Sequence, residues 1–305
     1  MSKRGWVLFW SLGLIWGMPY FFISVAVDEL APAVVVFGRT SLSALVMLYL
    51  AGRSGGLRPA LREWRWVATF AIVEMAIPWI LLTTAEQHIA SGLAALIISS
   101  VPIFGALAAF ALGDRSAVRP VRLAGIGLGI AGVTLLVGND LAGDGAPPWW
   151  SVAFLIVVCV CYGTAPFIIS RKLADVPALG VIAISLSIVA LLYLPIAAMT
   201  LPAVAPSAGA VASVVMLALV CTGLAFIVFF RLIDEVGAAR ASVITFVNPF
   251  VAVALGALFL DERLDLAIAG GFVLVLGGCW LATRPGPPDA GGIVTAVVEP
   301  ATAAP

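Results

Sequence analysis

Charge is what this sequence has least of. Of its 305 residues only 16 are Lys or Arg and 16 are Asp or Glu, 10% together, and there is a single histidine. Soluble domains carry about 25% charged residues, and a surface of this size cannot be kept dispersed in water by so few. That excludes a cytosolic enzyme and a disordered regulator. The formal net charge is zero, so there is no general attraction to anionic polymers, and a nucleic-acid partner is excluded too. The four cysteines, Cys159, Cys161, Cys221 and Cys279, all sit in apolar runs. No His, Asp or Glu stands beside the Cys-Val-Cys at 159–161 to complete a metal shell. They are expected to pack as small hydrophobes, with no disulfide framework, no metal and no cofactor.

What is abundant is apolar residues, 63% of the chain. A helix needs about 20 of them to cross the hydrocarbon core. Runs bounded by charges or by Pro and Gly give ten such segments, at 6–27, 32–51, 66–86, 92–113, 121–138, 150–170, 177–200, 208–230, 239–260 and 266–283. The first is too long for the apolar core of a signal peptide and is expected to be retained. The last residues, 285–305, are rich in Pro, Gly and Ala and read as a disordered cytoplasmic tail.

The charges set the orientation. If all ten segments cross and the N-terminus is cytoplasmic, the inner side holds Lys3, Arg4, Arg53, Arg58, Arg62, Arg65, Arg115, Arg119, Arg122, Arg171, Lys172, Arg231, Arg240 and Arg284. The outer links keep Arg263 alone and are acidic: Asp28, Glu29, Glu86, Asp140, Asp144, Asp261, Glu262 and Asp265. One segment more or fewer would scramble this separation. The reading is therefore an all-α integral protein of the cytoplasmic membrane with both termini inside.

The chain also repeats itself. Trp16-Gly17-Met18-Pro19-Tyr20-Phe21-Phe22-Ile23-Ser24 returns as Tyr162-Gly163-Thr164-Ala165-Pro166-Phe167-Ile168-Ile169-Ser170. Pro102, with Asp114-Arg115 after it, returns as Pro249, with Asp261-Glu262-Arg263 after it. Gly125, Gly127, Gly129 and Gly132 answer to Gly270, Gly271, Gly277 and Gly278. The two units are 1–143 and 144–284, each with five spans. Five is odd, so the second repeat is inverted relative to the first. Inverted repeats are a plan of secondary transporters, whose site lies near the midplane between the halves; a duplication kept for packing alone is the alternative.

Trp16-Gly17, Arg39, the stretch from Ala85 through Glu86-Gln87-His88-Ile89-Ala90-Ser91-Gly92 to Ile97 and Pro102, and the Asp-Glu-Arg at 261–263 resemble EamA-type members of the drug/metabolite transporter superfamily. The resemblance covers residues 6–283. It implies a ten-helix carrier, often an exporter of amino acids or other small metabolites. The first-half pair Asp114-Arg115 departs from the Glu usual in that family.

Two fully charged side chains fall well inside spans, Arg39 and Glu74. Each costs about 2.5–3.5 kcal/mol at a helix centre on insertion scales, so each needs a partner or water. At 1.5 Å per residue Arg39 lies about 10 Å from the outer end and Glu74 about 12 Å from the inner end, a difference in depth an extended arginine can cover. Two readings stand: a static ion pair between the second and third spans, or a substrate-carboxylate anchor (Arg39) and a proton-coupling acid (Glu74). Snorkelling to the outer surface is a third for Arg39. Pro78 removes the hydrogen bond to the Glu74 carbonyl, and Pro19, Pro102, Pro166 and Pro249 do the same in other spans, making hinges or cavity linings. Trp16 and Tyr20 share a helix face. With Trp79, Tyr162 and Asn248 they suit the wall of a cavity for a neutral or zwitterionic organic solute, interface anchoring being the alternative for the tryptophans. Glu86-Gln87-His88 reads as a solvated turn, with pH sensing by His88 as the alternative. Gly125-x-x-x-Gly129 reads as a close packing face.

The expected function is alternating-access transport of a small organic metabolite, outward, with membrane lipid as surroundings and protons as a second partner if Glu74 titrates. A non-transporting subunit or receptor is the alternative. An intramembrane enzyme lacks paired acids or a Ser-His arrangement at depth. A reporter active only in the cytoplasm, fused after Arg284, is expected to be active; activity of a reporter that works only outside the membrane would overturn the ten-span topology.

Overall fold

Lipid offers a backbone no hydrogen bonds, so a chain this apolar crosses it only as helices or as a closed barrel. The computed structural model describes residues 1–113, 120–141, 147–237, 241–262 and 266–282, without the side chains of 137–141, 242–243 and 267. Every regular element among these residues is helical. Seven helices have the length and apolar character to span: α1 (Lys3–Val27), α2 (Pro32–Arg53), α3 (Trp64–Ala85), α4 (Ser91–Ala111), and, after α5 (Pro120–Leu141), α6 (Trp149–Lys172), α7 (Ala178–Met199) and α8 (Ala208–Val236). The shorter apolar helices α9 (Asn248–Phe259) and α10 (Leu266–Ala282) bring the total among the described residues to ten. The Asp114-Arg115 pair, Arg119, the side chain of Asp140, Asp144, Arg240, Arg263, Asp265, Arg284 and the 285–305 tail lie outside the described residues.

Two boundaries differ from expectation. α8 continues to Val236 instead of ending near 230, so Arg231, Asp234 and Glu235 ride on its last turns. The stretch leading into α9 is a 3₁₀ turn, Ser242–Phe246, rather than regular helix. Elsewhere the ends follow local chemistry. Ser2 and Ser207 accept from the first-turn backbone of α1 and α8. Glu29, in the link between α1 and α2, accepts from the Ser207 backbone N–H at 2.6 Å. Its bonding to Ser207 holds the Glu29 carboxyl below its ordinary pKa.

The helices of the first five pack mainly on helices of the second five, in matched pairs. α2 lies on α7, α4 on α9 and α5 on α10; α1 meets α8 as α3 meets α6; α1 meets α9 as α4 meets α6. Repeated glycines allow this. A Cβ on Gly17 would stand 2.8 Å from the Asn248 carbonyl oxygen on α9, and one on Gly163 would stand 2.7 Å from the Gly105 backbone nitrogen on α4. The same device draws α5 to α10, where a Cβ on Gly125 would lie 2.7 Å from the Gly278 carbonyl oxygen. The outward face is apolar instead of charged: Leu191, Leu258 and Val273 are each at least 70% exposed. Such a surface is stable only against lipid.

Prolines mark the breaks. Pro19 opens the second segment of α1 after a bend at Met18, Pro102 opens the second segment of α4 after Ser99-Ser100, and Pro249 sits in the first turn of α9. Around the α4 break, Ser99 and Ser100 donate to the carbonyls of Leu96 and Ile97. The Cys159 and Cys279 thiols donate to the carbonyls of Ile97 and Ser99. All four cysteines are buried and unoxidised. They pack as expected, and two also satisfy the freed backbone. α6, by contrast, runs unbroken through Pro166, which faces outward.

Gly163→Val is expected to push α6 off the α4 backbone and destabilise the fold by about 1–3 kcal/mol, read as a lower unfolding midpoint in detergent. Gly127→Ala meets nothing within 4 Å and is expected to leave the midpoint unchanged or slightly higher.

Candidate functional site

Arg39 is 8% exposed in the middle of α2. Its Nε donates to the Thr222 hydroxyl of α8 at 2.8 Å, and its guanidinium lies over the Trp79 ring of α3, 3.7 Å from the centroid. Thr222 passes the bond on to the Leu217 carbonyl at 2.8 Å. One turn along α2, the Ser43 hydroxyl lies within donating distance of the Ala218 carbonyl, at 2.7 Å. The cation is thus held by a neutral hydroxyl and an aromatic face. Stacking of this kind contributes about 2 kcal/mol when desolvated. The terminal nitrogens make no hydrogen bond among the described residues.

The ion pair considered between Arg39 and Glu74 is not formed. Glu74 faces Cys161 and Tyr162 of α6 and has neither a cationic partner nor a hydrogen bond among the described residues. The backbone around it departs from α-geometry: Ile72–Ala76 is a π-helical turn. A second π-turn, Leu219–Leu224, begins 147 residues later, at the equivalent place in the other half, and carries Thr222. π-turns free backbone groups and concentrate at functional sites. Both are held across the molecule, one by Arg39 and Ser43 from α2, the other by the Tyr193 hydroxyl of α7, which donates to the Ala76 carbonyl at 3.0 Å.

The structure gathers Tyr20, Arg39, Trp79 and Tyr162. Tyr20 and Tyr162 are near enough to Arg39 to act on its charge, and the Trp79 side chain lies close to the Tyr162 hydroxyl. Glu74 acts on Tyr162 in turn. Trp16 does not join. It packs on Phe226 and Phe229 of α8, at ring distances of 6.3 and 4.9 Å. Asn248 stands at the start of α9 beside Gly17, with its buried Oδ1 unpaired. Pro78 follows the π-turn that holds Glu74.

The repeat exposes an asymmetry. At the 146–147-residue offset, Arg39 corresponds to Leu186, Glu74 to Cys221, Trp79 to Phe226, Tyr20 to Phe167 and Tyr162 to Trp16. The Trp16–Phe226 contact is the apolar image of the Tyr162–Trp79 contact. The frame folds with apolar residues at the image positions, so packing alone does not call for the polar set.

Glu86 corrects the expectation of a solvated turn. It is 5% exposed, and neither carboxylate oxygen has a hydrogen-bond partner. The signal was present in the sequence: Glu86 continues the buried stripe of Met75, Trp79 and Leu82 at helical spacing. His88 is exposed, edge-on to Trp150. Glu262 was also assigned to a loop. Its carboxylate instead crosses the sequence to cap α4, accepting from the Ser91 backbone N–H and hydroxyl at 2.7 Å each and from the Gly92 N–H at 2.9 Å. Thr222 had no sequence signal, because its role depends on a π-turn that periodicity does not mark.

The comparisons agree with this architecture. The EamA-like transporter family matches the chain twice, over residues 3–138 and 149–284. The chain is 29% identical over 256 residues to the uncharacterized inner membrane transporter YedA of Escherichia coli strain K12, covering 81% of this chain and 79% of that one. It is 27% identical over 292 residues to a probable terminal-alkyne amino-acid exporter of Streptantibioticus cattleyicolor, covering 93% and 94%. A probable amino-acid metabolite efflux pump of Escherichia coli strain K12 is 24% identical, covering 92% and 95%. A crystal structure with 22% sequence identity superposes with a TM-score of 0.62 over 93% of this chain and 97% of the other, sharing the fold. Two family matches that together span almost every helix leave one assignment: the chain belongs to the EamA-like transporter family, a multi-pass membrane transporter of small molecules.

Proposed function

We propose that this transporter exports a small organic metabolite of the amino-acid kind by alternating access, with its site between the two five-helix units 1–143 and 144–284 and both termini in the cytoplasm. One observation carries the reading. Arg39 is buried between the halves, held by neutral partners, with its terminal N–H groups making no hydrogen bond among the described residues. A planar guanidinium left open in this way binds a carboxylate bidentately. Tyr20, Trp79 and Tyr162 supply an aromatic wall for the organic part. The names of two relatives, an amino-acid exporter and an amino-acid metabolite efflux pump, support that substrate class.

Glu74 supplies the coupling. It faces Tyr162 and Cys161, and its π-turn is tied to α7 by Tyr193. Rearrangement of that turn changes the surroundings of the acid and exchanges its proton between the two sides. Domain motion is tied to the same places, since each π-turn is held from the opposite half.

Arg39→Lys is expected to insert and accumulate normally while reducing amino-acid efflux from proteoliposomes at least about tenfold, because an ammonium point charge replaces neither the fork nor the stacked face. Wild-type flux in this variant would remove Arg39 from the site. Glu74→Gln is expected to abolish flux driven by a pH gradient and to spare counterflow exchange. Normal gradient-driven flux would end the coupling role of Glu74.

A further inference from the structure

We infer that Glu86 forms an ammonium subsite facing Arg39, so that the carrier selects zwitterions through one buried charge of each sign. The inference rests on the amino-acid reading above and assigns a residue and a selectivity to the same site.

Glu86 ends α3 on the buried face, with both carboxylate oxygens enclosed and unpaired. A buried carboxylate without a partner costs several kcal/mol, so something must complete it. The charged groups that act on it are Glu262 and Arg39. Glu262 is occupied as the three-bond cap of α4. Arg39 is not in ion-pair contact with Glu86, yet each acts on the other's charge, and Tyr20 is close to both. No group of three metal-ligating side chains exists among the described residues to suggest a cation site.

The choice between a proton and an organic ammonium follows from Arg39. A proton on Glu86 leaves the buried guanidinium without an anion. A zwitterion satisfies both at once, its carboxylate on Arg39 and its ammonium on Glu86, with the intervening carbon against Tyr20. Glu74 does not take this part, because it acts on neither Arg39 nor Glu86. The position equivalent to Glu86 in the other half is Ile233, so the fold does not require an acid there. Both Glu86 oxygens are enclosed in this arrangement, and ligand binding therefore accompanies a parting of the end of α3 from the helices packed on it.

The test uses proteoliposomes of the full chain loaded with the twenty L-amino acids, or with the matching 2-hydroxy acids, which keep the carboxylate and replace the ammonium by a neutral hydroxyl. Efflux is followed by mass spectrometry. The wild type is expected to release a subset of the amino acids and to prefer them over their hydroxy counterparts at least about tenfold. Glu86→Gln is expected to lose that preference: amino-acid efflux falls at least about tenfold while hydroxy-acid efflux is kept or rises, which also shows that the variant is folded. Glu86→Asp is expected to restore the amino-acid preference in part. An unchanged preference in Glu86→Gln overturns the subsite, and so does equal loss of both substrate sets at normal yield, the outcome for a proton carrier or a structural residue. A wild type that moves neither set overturns the amino-acid reading itself, and that result is visible before any variant is made.

Discussion

A positive charge buried without an acid in contact among the described residues is the constraint around which this molecule is arranged. Arg39 sits on α2, its face covered by Trp79 of α3 and its Nε bonded to Thr222 of α8. The second of these partners is available because α8 makes a π-turn there, and the turn is stabilised in part by the same α2 through Ser43. Charge, aromatic face and backbone irregularity are therefore one coupled set. A change in how the halves meet would alter all three together. That is the physical requirement for a site that reports occupancy to a moving interface.

The frame that carries this set is regular. Matched helix pairs cross between the halves, and glycines at repeat-related positions allow backbones to touch. Where helices break, the freed carbonyls are met by nearby hydroxyls and thiols, as at Ser99 and Ser100 with Cys159 and Cys279. Irregular backbone at membrane depth is tolerable only with such satisfaction or beside a cavity. Two π-turns 147 residues apart, each tied to the opposite half, show the duplication extending to the irregularities themselves.

The chemistry placed on that frame is not duplicated. Tyr20, Arg39, Glu74, Trp79, Glu86 and Tyr162 have as images Phe167, Leu186, Cys221, Phe226, Ile233 and Trp16. The image set packs as ordinary hydrophobic contact, with Trp16 on Phe226 and Phe229. One side of the pseudo-symmetric interface is thus a polar, charged surface and the other an apolar seal. A buried arginine, a buried Glu86 and a half-buried Glu74 lower stability relative to apolar residues in the same places.

The sequence by itself determined the solvent of this protein, its ten helices and its duplication into two halves. Each of these follows from one-dimensional information: the scarcity of charge, the length of apolar runs and a repeat offset. Only the tertiary structure decided who meets whom. It separated Arg39 from Glu74, sent Trp16 to a packing contact, buried Glu86 and turned Glu262 into a helix cap. The reason is that a side chain's partners depend on which helices cross and on helical phase, and a π-turn shifts that phase by one residue without leaving a mark in the hydrophobic pattern.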